Sequence, residues 1–216
     1  MQSLEQLTPD PRISGAWCNS NLVVSAFLEA MSFVTPPLER FFIQTVCDAA
    51  RHWPDSGVKS RAHDFVQEEA RHSGAHRRFN LALADYLGAR PPGLRQVESL
   101  LERATRGLSM RARLLSVEAM EQVSEVLSAR YLRYERGAAI DCPFARHLFA
   151  QHAREEIGHA AVIRDLLDPA RLSGRLVKAA AFAAAALAGT VYFAVAVPWI
   201  ILRKRSARRS SQESIE

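Results

Sequence analysis

Six residues of metal-binding type recur along the chain at regular spacing. A lone glutamate is followed by a Glu-x-x-His pair, then by a second lone glutamate and a second Glu-x-x-His pair. In chain order they are Glu39, Glu69, His72, Glu121, Glu156 and His159. Residues three apart on a helix lie over the same patch of its surface, so each pair offers a carboxylate and an imidazole to one place. The spacing predicts a single site built from four carboxylates and two imidazoles.

Each of these acids lies on the apolar stripe of a predicted helix. The second helix, stepped by threes and fours, reads Phe65, Glu69, His72, His76, Phe79, Leu83. Burying unpaired carboxylates costs several kcal/mol per group, and no arginine or lysine shares these stripes. Two divalent or trivalent metal ions would balance the charge, as in the di-iron and di-manganese helical bundles. Oxygen and imidazole ligands without thiolate favour iron, with manganese and zinc as alternatives.

The elements that position these residues are predicted to be helices. The apolar residues recur with helical spacing, and no segment shows the alternating pattern of a strand. Prolines after Thr35 are typical of a first helical turn, and proline and glycine signals bound the later helices. The helices are expected at about 36–53, 55–86, 95–136 with a break near Gly107, and 143–168. We therefore predict an all-α, ferritin-like four-helix bundle. Its predicted organisation is a lead-in over 1–34, a di-metal bundle over 35–170, and a hydrophobic segment with a basic tail over 171–216.

Three further acids stand close to the predicted ligands. Glu118 competes with Glu121, which is preferred because Val117 and Ser124 share its stripe. Glu68 and Glu155 directly precede ligands and turn about 100° away from them, so we expect them at the surface or behind a ligand.

His76 and His152 each lie four residues from a proposed ligand on the same helix face. Either could be an additional nitrogen ligand, a group that orients a carboxylate from behind, or a core histidine with an ordinary hydrogen bond. Their types and spacing leave these alternatives open.

The segment Ala179–Leu202 contains 24 residues without a charged side chain and is flanked by basic residues. At about 1.5 Å per residue, a helix of this length could cross a hydrocarbon core of roughly 30 Å. We predict membrane attachment through residues 179–202, with a buried fifth helix as the alternative. A simple crossing would carry five tail charges away from a cytoplasmic domain, against the positive-inside tendency, so the orientation stays open.

The composition of the chain argues against several classes of function and location. The chain has 28 basic residues; eight lie between 171 and 209, which leaves 20 against 21 acids in the first 170. That near-neutral balance argues against nucleic-acid binding despite a pI of 9.5. Three widely spaced cysteines favour reduced thiols, and the first residues do not resemble a secretory signal. We expect a cytoplasmic domain attached to the inner membrane.

Several runs of the sequence resemble a family of ferritin-like bacterial proteins described as predicted metal-dependent hydrolases. These runs are residues 37–42, 65–72 with His76 and Asn80, 119–122, and 152–159, and the resemblance covers roughly residues 30–168. The sequence departs from the family pattern at Pro37, Glu68 and Gln122, where glycine, glutamine and histidine are expected. These departures lie beside the ligands, so they concern the substrate more than the metal.

The resemblance implies hydrolysis, which two-metal sites can perform by activating water. The carboxylate-rich ligand set instead favours di-iron chemistry, with oxygen-dependent oxidation of a small apolar or lipid-like molecule. Metal storage or peroxide detoxification is a third possibility. The sequence does not decide among them and gives no oligomeric state.

Overall fold

The protein is all-helical in its described part. The computed structural model describes residues 13, 15–51, 53–167 and 175–213. Seven helices follow one another: α1 Leu22–Ala50, α2 Ser56–Leu87, α3 Leu94–Gly107, α4 Met110–Glu135, α5 Pro143–Glu155, α6 His159–Asp165 and α7 Arg175–Glu213. The break expected near Gly107 is confirmed, because α3 ends there and Ser109 caps α4 by accepting a hydrogen bond from the amide of Ala112.

Five of these helices form a four-part bundle: α1, α2, α4, and the α5–α6 pair as the fourth part. Their apolar side chains make two separate clusters, one containing Phe33, Phe79 and Phe149 and the other containing Phe65 and Ile163. The predicted ligand residues occur between these positions along the helices, so a polar layer separates the two clusters. The bundle therefore holds its charged groups in the middle, with apolar packing on both sides.

The first helix is much longer than the sequence predicted. The expectation of a start near residue 36 is wrong, because α1 begins at Leu22 and runs through Pro36 and Pro37. A proline inside a helix lacks the N–H that would bond the carbonyl four residues earlier. For Pro36 that carbonyl belongs to Ser32, and the side-chain amide of Asn80 donates to it instead at 2.7 Å. A hydrogen bond from α2 thus replaces the one that the proline removes.

The fourth helix of the bundle is broken where the sequence predicted continuity. α5 ends at Glu155 and α6 begins at His159, and Gly158 between them has φ of +108°. This left-handed conformation favours glycine because it has no Cβ. The second Glu-x-x-His pair therefore spans a turn instead of one regular helix.

The last helix packs along the outside of the bundle. Tyr192, Ala196 and Ile200 of α7 are buried in the cluster that also contains Trp17. Within the described residues, α1 and α7 are the two helices long and apolar enough to cross a membrane, but their exposure differs. The apolar window of α1 is 56% buried, as expected for a core helix, whereas that of α7 is only 17% buried. The predicted domain boundaries stay a prediction.

Candidate metal centre

The structure brings all six predicted ligand residues together in the middle of the bundle. α1 contributes Glu39, α2 contributes Glu69 and His72, α4 contributes Glu121, and the α5–α6 turn contributes Glu156 and His159. None of these residues is more than 4% exposed. Side chains of this charge are rarely buried so completely without partners, so the gathering itself points to a bound cation.

Two of the carboxylates lie between two of the histidines. Glu69 Oε1 is 3.7 Å from Nδ1 of His72 and 3.0 Å from Nδ1 of His159. Glu156 Oε1 is 4.0 Å from each of the same two nitrogens. Glu121 Oε2 approaches His159 Nδ1 at 3.8 Å. The arrangement places three carboxylates and two imidazoles where they could hold metal ions together.

Ligand-type atoms fall into two compact groups. Glu39, His72 and His152 form one, and Glu69, Glu156 and His159 form the other; within each group the atoms lie within 4.8 Å of one another. The first group includes His152, whose Nε2 is 2.9 Å from Glu156 Oε1 and whose Nδ1 is 3.7 Å from Glu39 Oε1. His152 therefore lies among the predicted ligands.

The two acids that precede the Glu-x-x-His ligands hold the histidines from behind. Nε2 of His72 is 2.6 Å from Glu155 Oε2, and Nε2 of His159 is 3.0 Å from Glu68 Oε2. A carboxylate at Nε2 favours a proton there, which makes Nδ1 the nitrogen that would bind a metal ion among the acids. The sequence left two alternatives for Glu68 and Glu155, the surface or a position behind a ligand residue. In the structure both contact a histidine of the cluster from behind.

A chain of hydrogen bonds lies behind His152. Because the amide nitrogen of Asn80 donates to a carbonyl, its oxygen must face the Ser32 hydroxyl, which donates to it at 2.7 Å. The same hydroxyl is 2.8 Å from Nδ1 of His76, so it accepts a hydrogen bond from that nitrogen. Nε2 of His76 then accepts from Nδ1 of His152 at 3.2 Å. The remaining nitrogen of His152, Nε2, lies 2.9 Å from Glu156 Oε1, a contact that needs a proton between the two atoms or a metal ion in its place.

Many atoms of the cluster have no hydrogen-bond partner. Among the described residues, nine buried oxygen and nitrogen atoms of this site are unpartnered, including both oxygens of Glu39, Glu69 and Glu121. The others are one oxygen of Glu156 and the Nδ1 atoms of His72 and His159. Buried polar groups are nearly always paired, and each orphan costs about 1–3 kcal/mol. Metal ions would satisfy this oxygen and nitrogen donor set, so the residues fit the predicted cofactor.

The electrostatics of the cluster show how much positive charge it requires. Burial raises the pKa values of Glu39 and Glu121 well above the ordinary carboxyl range, and neighbouring carboxylates raise them further. Although burial lowers the pKa of His72, the carboxylates of Glu155 and Glu69 raise it to about 10. Without a metal ion, the site at neutral pH would therefore hold protons in its place.

Glu118, the competitor of Glu121, has a different role. It is buried, but its Oε1 forms an ion pair with Nζ of Lys178 at 2.9 Å and lies 3.9 Å from Arg164. Glu121 faces the cluster instead. The preference for Glu121 agrees with this geometry, and Glu118 offers a matched control for experiments.

Comparison with known proteins connects this geometry to a family. A family model described as a predicted metal-dependent hydrolase matches residues 6–215. The chain belongs to this family. Searches of curated proteins and of solved structures found no match to this chain. The resemblance drawn from the motifs is confirmed for this family, whereas its ferritin-like part stays a prediction.

Sequence reasoning missed part of the site. It left His76 and His152 with the same alternatives, although the structure separates them: His152 faces the acids and His76 lies behind it. Two residues of the supporting chain, Ser32 and Asn80, received no role from their spacing. The prolines after Ser32 were a usable signal, because they free a buried carbonyl that must find a donor elsewhere.

Proposed function

We propose that the protein is a two-metal carboxylate enzyme. The observation that carries this proposal is the set of nine unpartnered buried atoms, which converge from four helical elements on one layer of the core. Two ions would need that many donors, whereas a single ion would leave part of the set unsatisfied. Membership of a family described as metal-dependent supports the same reading.

The donor atoms divide naturally between two ions. One ion would be held by Glu39, His72 and His152, which form one of the compact groups. The other would be held by Glu121 and His159, whose donor atoms lie 3.8 Å apart. Glu69 and Glu156 would complete both sets, since each has an oxygen within 4.0 Å of the Nδ1 atoms of His72 and His159.

The remaining residues prepare this set for catalysis. Bound iron would supply redox chemistry with dioxygen, whereas bound zinc or manganese would supply Lewis acidity toward water. Glu155 and Glu68 hold two imidazoles in the required tautomer, and the Asn80–Ser32–His76 chain does the same for His152. The two apolar clusters on either side keep water away from the charged layer.

We favour oxygen-dependent oxidation of a small apolar or lipid-like molecule. Four carboxylates and three imidazoles, without thiolate, accommodate iron in two oxidation states. The alternative is metal-dependent hydrolysis, and the family description favours it. The two chemistries predict different metal requirements, because zinc cannot change its oxidation state.

Oxygen uptake separates these two functions. Protein loaded anaerobically with ferrous iron should consume dioxygen well above the buffer rate, and Glu39→Ala should abolish this uptake because it removes a donor to one ion. The control is Glu118→Gln, which should leave uptake unchanged since Glu118 pairs with Lys178. Uptake at the buffer rate, together with turnover of an ester or amide by the zinc-loaded protein, would establish hydrolysis instead.

We also propose that the catalytic part is cytoplasmic and attached to the membrane through residues 179–202. Support comes from the length, hydropathy and low burial of α7. The full chain should sediment with membranes and resist extraction by high salt, because apolar insertion is not screened as surface charge is. A soluble full chain without detergent would contradict this attachment.

A further inference from the structure

One stripe of α7 faces the bundle over most of the helix. The less exposed positions recur every three or four residues, which is the period of a single helix face. The stripe consists of residues 178, 181, 185, 188, 192, 196, 200 and 204, and it contains the four buried residues of the described part of α7. At about 1.5 Å per residue this stripe is roughly 39 Å long, more than the thickness of a hydrocarbon core of about 30 Å. The uncharged run therefore lies along the bundle instead of projecting from it.

Polar contacts fix α7 at both ends and in the middle. Near its start, Nζ of Lys178 pairs with Glu118 of α4 at 2.9 Å. In the middle, the hydroxyl of Tyr192 donates to the carbonyl of Ala30 in α1 at 3.0 Å. Near its end, the buried Nζ of Lys204 donates to the carbonyl of Ile13 at 2.8 Å.

The Lys204 contact is the strongest of these anchors. Its ammonium group also donates to the carbonyl of Gly15 at 2.9 Å and forms a buried ion pair with Glu29. Glu29 in turn accepts a hydrogen bond from the indole nitrogen of Trp17 at 2.7 Å. Removing one partner from such a buried pair is strongly unfavourable, because the other charge is left without compensation.

The opposite side of α7 is apolar and open. Leu187, Val191, Val195 and Leu202 are between 46% and 68% exposed. Their spacing of four, four and seven residues places them on the same side of the helix. At the N-terminal end, Leu176 is 85% exposed. Phe27 of α1, which is 39% exposed, packs against Phe193 of α7 with ring centroids 5.1 Å apart. Soluble monomers rarely expose an apolar surface of this length.

The charges around this surface identify what covers it. Arg203 and Arg205 follow the apolar run, with Arg208 and Arg209 further along the chain, whereas Lys178 before it faces the bundle and pairs with Glu118. A basic cluster at the end of an apolar helix face complements the anionic headgroups of a bilayer surface. A second copy of the chain would bring these like charges together, so a lipid surface is the better partner.

We propose that α7 is an in-plane anchor, which lies along an anionic lipid surface with its outer face inserted and its inner face still packed on the bundle. The proposal rests on the membrane attachment proposed above and specifies its geometry. A perpendicular crossing would require α7 to leave its stripe and would separate Lys204 from Glu29. It would also move the tail arginines across the bilayer, whereas the in-plane geometry keeps every basic residue on the cytoplasmic side.

A depth measurement distinguishes the two geometries. Nitroxide labels would be placed on the full chain at Leu176→Cys, Val191→Cys and Leu202→Cys, with Cys47→Ser in the background because Cys18 and Cys142 are buried. The probe is a vesicle of phosphatidylcholine containing a minority of phosphatidylglycerol. An in-plane anchor places all three labels at a similar shallow depth, about 5–10 Å below the headgroups. A label at position 191 that is about 15 Å deeper than both others would overturn the in-plane geometry while retaining attachment.

A matched pair of variants tests the outer face. Leu187→Glu should weaken partitioning into these vesicles at least ~10-fold, because it puts a charge on the face that inserts into the lipid. Leu81→Glu on α2 is the control, since Leu81 is 67% exposed and Leu187 is 68% exposed. It should leave partitioning unchanged. Equal effects of the two variants, or no vesicle binding by a full chain that forms a dimer, would overturn the proposal and the attachment together.

Discussion

The turn between α5 and α6 makes the most specific prediction about the architecture of the site. Gly158 has φ of +108°, and nothing lies within 4 Å of the position a Cβ would occupy. An alanine there would meet no steric clash, so any cost of Gly158→Ala comes from the backbone alone. Holding a residue other than glycine in such a region costs roughly 1–3 kcal/mol.

The unfolded chain offsets part of this cost. Replacing glycine by alanine restricts the unfolded state and favours folding by about 0.4–1 kcal/mol. The net expectation for Gly158→Ala is therefore a loss of up to about 2.6 kcal/mol in the free energy of unfolding, with a middle value of about 1.3 kcal/mol. For a chain of this length, the middle value corresponds to an unfolding midpoint lower by about 3–5 °C.

Gly74 supplies the control. It lies within α2 and also has nothing within 4 Å of a built Cβ, but its φ is not positive. Gly74→Ala should raise the free energy of unfolding by about 0.5–1 kcal/mol, because alanine is the better helix former. Thermal or urea unfolding of both variants measures the contrast.

Metal affinity provides a second measurement of the same change. Gly158 lies between Glu156 and His159, so a regular helix at this point would redirect both side chains. Gly158→Ala should weaken metal binding, whereas Gly74→Ala should not. If Gly158→Ala is as stable as Gly74→Ala and binds metal equally well, the turn is refuted and the continuous helix predicted from the sequence is correct.

Three more predictions concern the cluster and its support. Metal binding should release protons and should strengthen as the pH rises through neutrality. The reason is that the pKa of His72 is about 10 in the metal-free site, so its proton must leave before a metal ion can bind. Calorimetry in buffers of different ionisation enthalpy measures this proton release. His76→Ala should lower metal affinity by about 10- to 100-fold and His152→Ala by more, because only His152 faces the acids, and equal losses would contradict that order. Asn80→Leu should cost about 1–3 kcal/mol in urea unfolding because it leaves the Ser32 carbonyl unpaired, and an unchanged midpoint would refute that hydrogen bond.

Much of the site could be predicted from local spacing. The two Glu-x-x-His pairs and the lone acids on apolar stripes predicted that these six residues would meet, because helical periodicity fixes which side chains share a face, and the structure gathers them in one buried layer. That they bind metal stays a prediction. Preference for Glu121 over Glu118 followed from the same rule. These inferences needed only the neighbours of each residue along its own helix.

Features that depend on contacts between distant segments were missed. The path of α1 through Pro36 depends on Asn80 of another helix, which the sequence around the prolines does not reveal. The turn at Gly158 is unexpected because an isolated glycine is tolerated within a helix. The position of α7 on the bundle depends on contacts of Lys204 with residues 13, 15 and 29. A run of apolar residues does not reveal these contacts, so the sequence alone could not distinguish a helix packed on the bundle from one that crosses a membrane by itself.

Metal content of the purified protein tests the central claim most directly. Protein purified without chelators and analysed by mass spectrometry should contain about two metal ions per chain, as in carboxylate-bridged bundles. Glu121→Gln should lose most of this metal, because it weakens a donor of the cluster. Glu118→Gln should keep both ions, since its carboxylate pairs with Lys178. A metal-free wild type that cannot be loaded, or equal metal content in the two folded variants, would contradict the two-metal centre.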